Sequence, residues 1–268
     1  MKNQTIDEIL ETAIADCFWV PPDVHIVDRP ELSYIYSQRP SMNFNRVLRA
    51  RPSQAAPHRL VAEVLKAHGD GNSQWTLNAM SDTPPMRLAL QDAGYKEGAL
   101  HHAYAIEVDA YDRRPPKDVQ VNPVESVDDL RTLYEIRSAV FDTDLALTRR
   151  DLERELDACT GPDRRVARFV AHRNGEPAGS GGMTFFDDLQ FALIWAGGVI
   201  EDHRGNGVYT ALLAARAHLA RRRGLHRLGL YAVENTSAPI VDAHGFERHG
   251  HLQYFEREER SHGHQHPS

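Results

Sequence analysis

Hydrophobic residues in the second half of the chain alternate between helical and strand-like spacing. Leu130, Leu133, Ile136 and Val140 recur every three or four residues, which predicts a helix. Apolar runs that end at turn residues such as Asn174-Gly175 predict strands. In order, this half is predicted to contain a strand at 119–121, helices at 127–141 and 152–159, strands at 166–172, 177–186 and 189–200, a helix at 207–223, a strand at 225–233, a short helix at 237–244 and a last strand around Tyr254.

The first half repeats the end of this order. In each half a helix leads to a strand, a proline-containing turn, a short helix, a Gly-aromatic turn and a final strand. The corresponding pieces are helices at 53–68 and 207–223, strands at 74–79 and 225–233, turns at 93–95 and 243–246, and last strands around Tyr104 and Tyr254. The order predicts two related units.

The segment 111–116, which reads YDRRPP, is predicted to be a linker because it is polar and ends in two prolines. We expect an α/β protein with domains at 1–115 and 116–258 and a disordered, His-rich tail at 259–268. Since several strands follow one another through tight turns, each unit should contain a mixed, mostly antiparallel twisted sheet flanked by helices.

Composition excludes several classes of protein. The chain of 268 residues carries 31 basic and 38 acidic residues, so its net charge of -7 shows no nucleic-acid footprint. The longest apolar run, 191–200, is half the length of about 20 residues that a membrane helix needs. The acidic N-terminus does not resemble an export signal, and we expect a cytoplasmic protein without a membrane partner. Cys17 and Cys159 cannot form a disulfide framework, and no metal site is predicted, the alternating histidines of the tail included.

The segment 199–210 carries the clearest chemistry, because it joins an apolar strand to a helix. A helix N-terminus offers unpaired N–H groups and the positive end of a dipole. Gly205 and Gly207 allow the backbone to approach a ligand closely, and Arg204 can bind a phosphate. Val208-Tyr209 replace the Lys-Ser/Thr of a P-loop, and the glycine spacing does not fit a dinucleotide-binding fold. A simple turn before the helix is the alternative.

This stretch resembles the GNAT superfamily of acyl-CoA-dependent N-acyltransferases over about residues 118–258. The resemblance rests on Arg204-Gly205-Asn206-Gly207-Val208-Tyr209, on Asn235-Thr236-Ser237-Ala238 and on Ala243-His244-Gly245-Phe246. Tyr209 departs from the family pattern, which has a small residue there. The family resemblance implies two GNAT-like units, the first a degenerate copy, with acetyl-CoA as cosubstrate.

The resemblance also implies roles for individual residues. The backbone of Arg204, Gly205, Asn206, Gly207, Val208, Tyr209 and Thr210 would hold the pyrophosphate; Gly197, Gly198 and Val199 would pair with the pantetheine arm; and Asn235 and Ser237 would meet its sulfur end. Gly197, Gly198 and Gly229 weaken their strands, which favours a ligand nearby; a β-bulge or tight packing is the alternative. Proline at 207 is expected to spare the helix but to remove a ligand-binding N–H.

The first half lacks this loop. Residues 51–57 read RPSQAAP, without glycine and with two prolines that lack N–H donors, so one CoA per chain is expected.

The short helix at 237–244 lacks the tyrosine that serves as proton donor in many family members. Ser237 is the nearest substitute. A general base could come from Asp142, Asp144, Glu201 or Glu234, although each is also explained as a surface charge.

We expect an acetyl-CoA-dependent N-acetyltransferase that acts on a small-molecule amine by direct transfer. A non-catalytic acyl-CoA-binding or sensing module is the alternative, and a structural protein without cofactor is a third reading.

Overall fold

A computed structural model describes residues 4–16, 20–39, 41–52, 56–142, 147–161 and 163–258. The protein is α/β, as predicted. The helices are α1 (Ile6–Ile14), α2 (Pro57–His68), α3 (Pro84–Asp92), α4 (Val127–Phe141), α5 (Arg149–Thr160), α6 (Val208–Arg222) and α7 (Ala238–Ala243). The strands are β1 (His25–Arg29), β2 (Leu32–Tyr36), β3 (Arg46–Ala50), β4 (Ser73–Asn78), β5 (Lys96–Glu107), β6 (Val119–Pro123), β7 (Val166–Arg173), β8 (Glu176–Phe186), β9 (Phe191–Val199), β10 (Arg227–Val233) and β11 (Glu247–Arg257).

One compact unit comprises residues 1–19 and 103–249. Its strands β6 to β9 follow one another as antiparallel neighbours, and β10 lies parallel to β9. Helices cover both faces, since Phe169 packs in the cluster that contains α6 whereas its neighbour Val170 packs with α4. Helix α1 adds Leu10 to a third cluster with Phe191 and Leu193 of β9.

The other compact unit comprises residues 20–102 and 250–268. Strands β1, β2 and β3 form an antiparallel meander, β3 and β4 are parallel, and β11 pairs with β4 in antiparallel register from Leu252↔Asn78 to Arg257↔Ser73. Trp75, Leu77 and Phe255 are fully buried in its core, together with residues of α2 and α3.

The predicted repeat is visible in the element order. A parallel pair of strands joined by a helix occurs twice, as β3-α2-β4 and as β9-α6-β10. Each is followed by a short helix and a long strand, α3-β5 and α7-β11. The mixed, mostly antiparallel pairing within each unit is also as expected.

The compact units are discontinuous in sequence and so differ from the boundaries predicted at 115/116 and 258/259. The physical reasons are that α1 packs on β9 and that β11 completes the pairing of β4. That each unit is a domain of the same family remains a prediction. Among the described residues, no helix combines the length and hydropathy needed to cross a bilayer. Cys17 and the tail at 259–268 lie outside the described residues.

Candidate functional site

Strand β9 contains an extra residue at the centre of the predicted site. Gly182 of β8 pairs with Trp195, but Ser180 pairs with Gly198, so two steps along β8 face three along β9. Ala196 absorbs the extra residue with φ of +49°, in the left-handed region. Such a bulge interrupts the ladder and re-aims the backbone.

Strands β9 and β10 pair only at their beginnings. The parallel register covers three positions, from Arg227↔Phe191 to Gly229↔Leu193. Beyond these, β9 runs on to Val199 with no further β10 pair among the described residues. This stretch includes the bulge, and its edge towards β10 keeps unpaired backbone groups that can bond an extended chain.

Gly197, Gly198 and Val199 all lie in this unpaired stretch. A Cβ on Gly197 would lie 3.0 Å from the ring of Tyr209, and one on Gly198 would lie 2.7 Å from Cγ1 of Val140. Both glycines are therefore also needed for close packing against helices on opposite faces. The alternatives left open by the sequence, a bulge and tight packing, are both present.

Gly229 has a purely internal role in the described structure. A Cβ there would lie 2.4 Å from Cζ of Phe191 and 2.8 Å from Cδ2 of Leu10. Packing between β9, β10 and α1 explains the absent side chain. Gly229 therefore gives no support to the expectation of a ligand close to this strand.

The loop after β9 is held by its own side chains. Arg204 is exposed, and its Nε donates a hydrogen bond to the carbonyl oxygen of Val199 at 3.2 Å. Nδ2 of Asn206 donates to the carbonyl oxygen of Arg204 at 2.8 Å. Gly205 and Gly207 have φ of +73° and +75°, which a side chain would strain. The loop geometry therefore depends on both glycines.

Gly207 is the N-cap of α6, and no side chain caps this helix. The first intrahelical bond runs from the N–H of Ala211 to the carbonyl oxygen of Gly207, at 3.0 Å. Val208, Tyr209 and Thr210 therefore present N–H groups without intrahelical partners, at the positive end of the dipole and close in sequence to Arg204. These groups fit an anion such as a phosphate.

The expectation that proline at 207 spares the fold is wrong. Gly207 precedes the helix rather than beginning it, and its φ of +75° lies far from the value of about -65° that proline requires.

Asn235 and Ser237 lie in the turn between β10 and α7. Asn235 is exposed, whereas Ser237 is half-buried, and its Oγ accepts a hydrogen bond from the N–H of Val233 at 2.8 Å. This hydrogen bond stabilises the turn, which is sufficient to explain a serine at this position. The role of Ser237 as a proton donor remains a prediction.

The carboxylates considered as general bases are exposed wherever the structure describes them. Asp142 ends α4 with φ of +49°, Glu201 lies in a helical turn after β9, and Glu234 follows β10. Asp144 lies outside the described residues. No base is identified by burial or by geometry.

The segment 111–116 begins with a buried residue, which the linker prediction missed, whereas 112–115 are exposed. The Tyr111 side chain is buried, and its hydroxyl lies 3.1 Å from Nδ1 of His244; Nε2 of His244 lies 3.4 Å from Oγ1 of Thr210. Arg113 donates to the carbonyl oxygen of Ala243. Burial, and secondarily the charge of Arg113, lower the pKa of His244, so this imidazole is neutral at pH 7. Tyr111, His244 and Thr210 thus form a row of polar side chains beside the N-terminus of α6.

The sequence pattern did not indicate a role for the side chains of Tyr209 and Arg216. Tyr209 packs against Gly197, and burial raises the pKa of its phenol. Arg216 is fully buried on α6. The available signal was its position, four residues after Leu212 and eight after Val208, within the apolar stripe of the predicted helix.

A second buried polar group lies on the opposite face of the sheet. Arg168 of β7 forms an ion pair with Glu155 of α5, and its guanidinium lies 4.4 Å from the ring centroid of Trp195. A Cβ on Gly182, the residue between them in the sheet, would lie 2.3 Å from that ring. The missing side chain lets the indole lie across β8, next to the bulge.

Comparisons with known proteins agree with this geometry. The model of the acetyltransferase (GNAT) family matches residues 130–250. No curated protein matches the chain.

Solved structures share the fold. A GCN5-related N-acetyltransferase from Kribbella flavida is 14% identical, with 87% of this chain and 88% of that one covered at a TM-score of 0.65. A GCN5-related N-acetyltransferase from Sphaerobacter thermophilus is 18% identical over 87% and 82%, at 0.57. A tandem GNAT protein from the clavulanic acid biosynthesis pathway is 14% identical over 97% and 88%, at 0.58. The family match shows that residues 130–250 contain an acetyltransferase (GNAT) domain, and the solved structures show that the chain shares the fold of GNAT proteins.

Proposed function

We propose that the protein is an acetyl-CoA-dependent N-acetyltransferase that acts on a small-molecule amine. The observation that carries this proposal is the parting of β9 from β10 beside the uncapped N-terminus of α6. An extended pantetheine arm fits the unpaired edge at Gly197, Gly198 and Val199. A pyrophosphate fits the N–H groups of 208–210 beside Arg204.

Direct transfer needs a neutral amine and a proton for the departing thiolate. Ser237 remains our candidate donor. A second candidate is Tyr209, because its ring packs against Gly197 and because a phenol carries its proton at neutral pH. Ser237→Ala and Tyr209→Phe would separate the two, since the donor's variant lowers kcat without lowering acetyl-CoA affinity.

Calorimetry with acetyl-CoA, followed by thiol release with a panel of amines, tests the function. Arg204→Ala should weaken acetyl-CoA binding by roughly 10- to 150-fold, the range for a charged hydrogen bond. Arg222→Ala is the matched control, since it removes an exposed arginine from the other end of α6 and should change affinity by less than about twofold.

The alternative is a non-catalytic acyl-CoA-binding or sensing module, which the missing tyrosine of α7 favours. Tight acetyl-CoA binding without turnover of any amine would support it. Absence of any binding or thermal shift with millimolar CoA would exclude both and leave a structural protein.

A further inference from the structure

A buried arginine lies on the α6 side of the bulge in β9. Arg216 is 1% exposed, and its Nε donates a hydrogen bond to the carbonyl oxygen of Leu212 at 2.9 Å. Its Nη2 has no hydrogen-bond partner within the described ranges. Arg168, which is similarly buried, is instead paired with Glu155. Arg216 is thus a buried cation with no carboxylate paired to it among the described residues.

Two glycines provide the space for this guanidinium. A Cβ on Gly181 of β8 would lie 3.0 Å from Nη1 of Arg216, and a Cβ on Gly197 of β9 would lie 3.4 Å from Nη2. Gly181 and Gly197 both lie, with Ala196, where the β8–β9 ladder is interrupted. The charge is therefore held at the bulge itself.

The surroundings do little to compensate this charge. Burial lowers the pKa of Arg216, and the groups that favour its charged form are the phenols of Tyr209 and Tyr111. A buried, unpaired charge opposes folding, so a protein that retains one stores positive potential at that point. A ligand that develops negative charge next to the bulge would benefit from it.

We propose that Arg216 is a positioning residue for acyl transfer, whose buried charge beside Gly197 favours negative charge on the thioester carbonyl oxygen. The inference rests on the proposed function. During transfer the amine nitrogen bonds to the carbonyl carbon, the C–S bond breaks with its electron pair on sulfur, and the proton lost by nitrogen ends on that sulfur. Negative charge builds on the oxygen meanwhile, and a fixed buried cation stabilises it without reorganisation.

The carbonyl stretch of bound acetyl-CoA tests this without knowledge of the amine. Infrared difference spectra of ¹²C- and ¹³C-labelled acetyl-CoA would be recorded with wild type, Arg216→Lys and Arg216→Met. We expect the wild type to lower the stretching frequency, Arg216→Lys to keep most of that shift, and Arg216→Met to lose at least half. Arg222→Met is the control and should behave as wild type. Affinity for CoA, which has no acyl carbonyl, should stay within about twofold in every variant.

Turnover provides a second readout. With an accepted amine, Arg216→Met should lower kcat by about 10- to 100-fold with little change in KM, and Arg216→Lys should recover most of the loss. An unchanged carbonyl stretch in folded Arg216→Met, or equal losses in both variants, would overturn the proposal. If Arg216→Met does not fold, Arg216→Gln takes its place under the same criteria. Failure of the wild type to bind acetyl-CoA would instead refute the proposed function.

Discussion

Pro116 packs against the α-carbon of Gly207, so that a Cβ on Gly207 would lie 2.4 Å from Cγ of the proline. Gly207 also has φ of +75°. Gly207→Ala should therefore both strain the backbone and push Pro116 away, with an expected loss of about 3 kcal/mol in the free energy of unfolding. Urea denaturation would measure it.

Gly205→Ala is the matched comparison. Gly205 has a similar φ of +73°, but a Cβ there would meet nothing within 4 Å. Only the backbone strain remains, and the expected loss is about 1 kcal/mol. Equal losses in the two variants would show that Pro116 contributes nothing.

Asn206 should matter for ligand affinity more than for stability. Its Nδ2 donates to the carbonyl oxygen of Arg204 and so holds the loop. Asn206→Ala removes one hydrogen bond and should weaken acetyl-CoA binding by about tenfold. Asn206→Asp also places a negative charge beside the expected pyrophosphate, and should weaken binding by about 100-fold or more at low salt. Titration at two salt concentrations would check this, because added salt should narrow the gap.

One acetyl-CoA should bind per chain. The N-terminus of α2 begins with Pro57, which has no N–H group, whereas α6 begins with Val208. Isothermal titration should give a stoichiometry of one; a value of two would mean that the unit built on residues 20–102 also holds the cosubstrate.

Acid should destabilise the protein through His68. This buried imidazole accepts from the hydroxyl of Ser73 at its Nδ1 (2.6 Å) and donates from its Nε2 to the carbonyl oxygen of Ile35 (2.9 Å), as the neutral form requires. Burial lowers the pKa of His68 to about 4, against an ordinary value of 6.5. Because the unfolded chain gains the proton first, stability should fall by about 3 kcal/mol as the pH drops from 6.5 to 4.

His68→Gln isolates this contribution, since glutamine does not titrate. Its unfolding free energy should decline less steeply over the same pH range than that of the wild type. His101, whose pKa burial also lowers to about 4, would account for part of the remaining slope. Identical slopes in variant and wild type would contradict the assignment.

Cys159 should be unreactive in the folded protein. The thiol is buried, and burial raises its pKa to about 11. In a Cys17→Ser background, alkylation of Cys159 at pH 8 should be at least about 100-fold slower than in urea, because few thiolates are present and access is blocked. Mass spectrometry of quenched time points would show it, and fast native labelling would argue against the described packing.

Local patterns predicted most of the second half. The helix expected over 127–141 is α4, and the one expected over 207–223 is α6 at Val208–Arg222. Both carry a regular apolar stripe over about four turns, which is the strongest signal a sequence contains. Strands β1 to β3 and helix α1 were not predicted. They are short, charged residues interrupt β1 (HIVDR) and β3 (RVLRA), and tertiary packing rather than periodicity defines these elements.

The candidate site was only partly predictable for the same reason. The loop at 204–207 could be read because glycine placement before a helix is a local signal. The bulge at Ala196 depends on pairing with β8, and the isolation of Arg216 depends on glycines in two other elements. Neither relationship can be predicted from a short stretch of sequence.

The pairing of β11 with β4 has a consequence for synthesis. A ribosome releases residues 73–78 long before it releases 252–257, their antiparallel partners. Until translation is almost finished, one edge of β4 has no partner strand. Its unpaired backbone groups can then pair with strands of other nascent chains. Premature termination anywhere before residue 252 would leave that edge permanently open, so truncated products should be aggregation-prone substrates for chaperones and proteases.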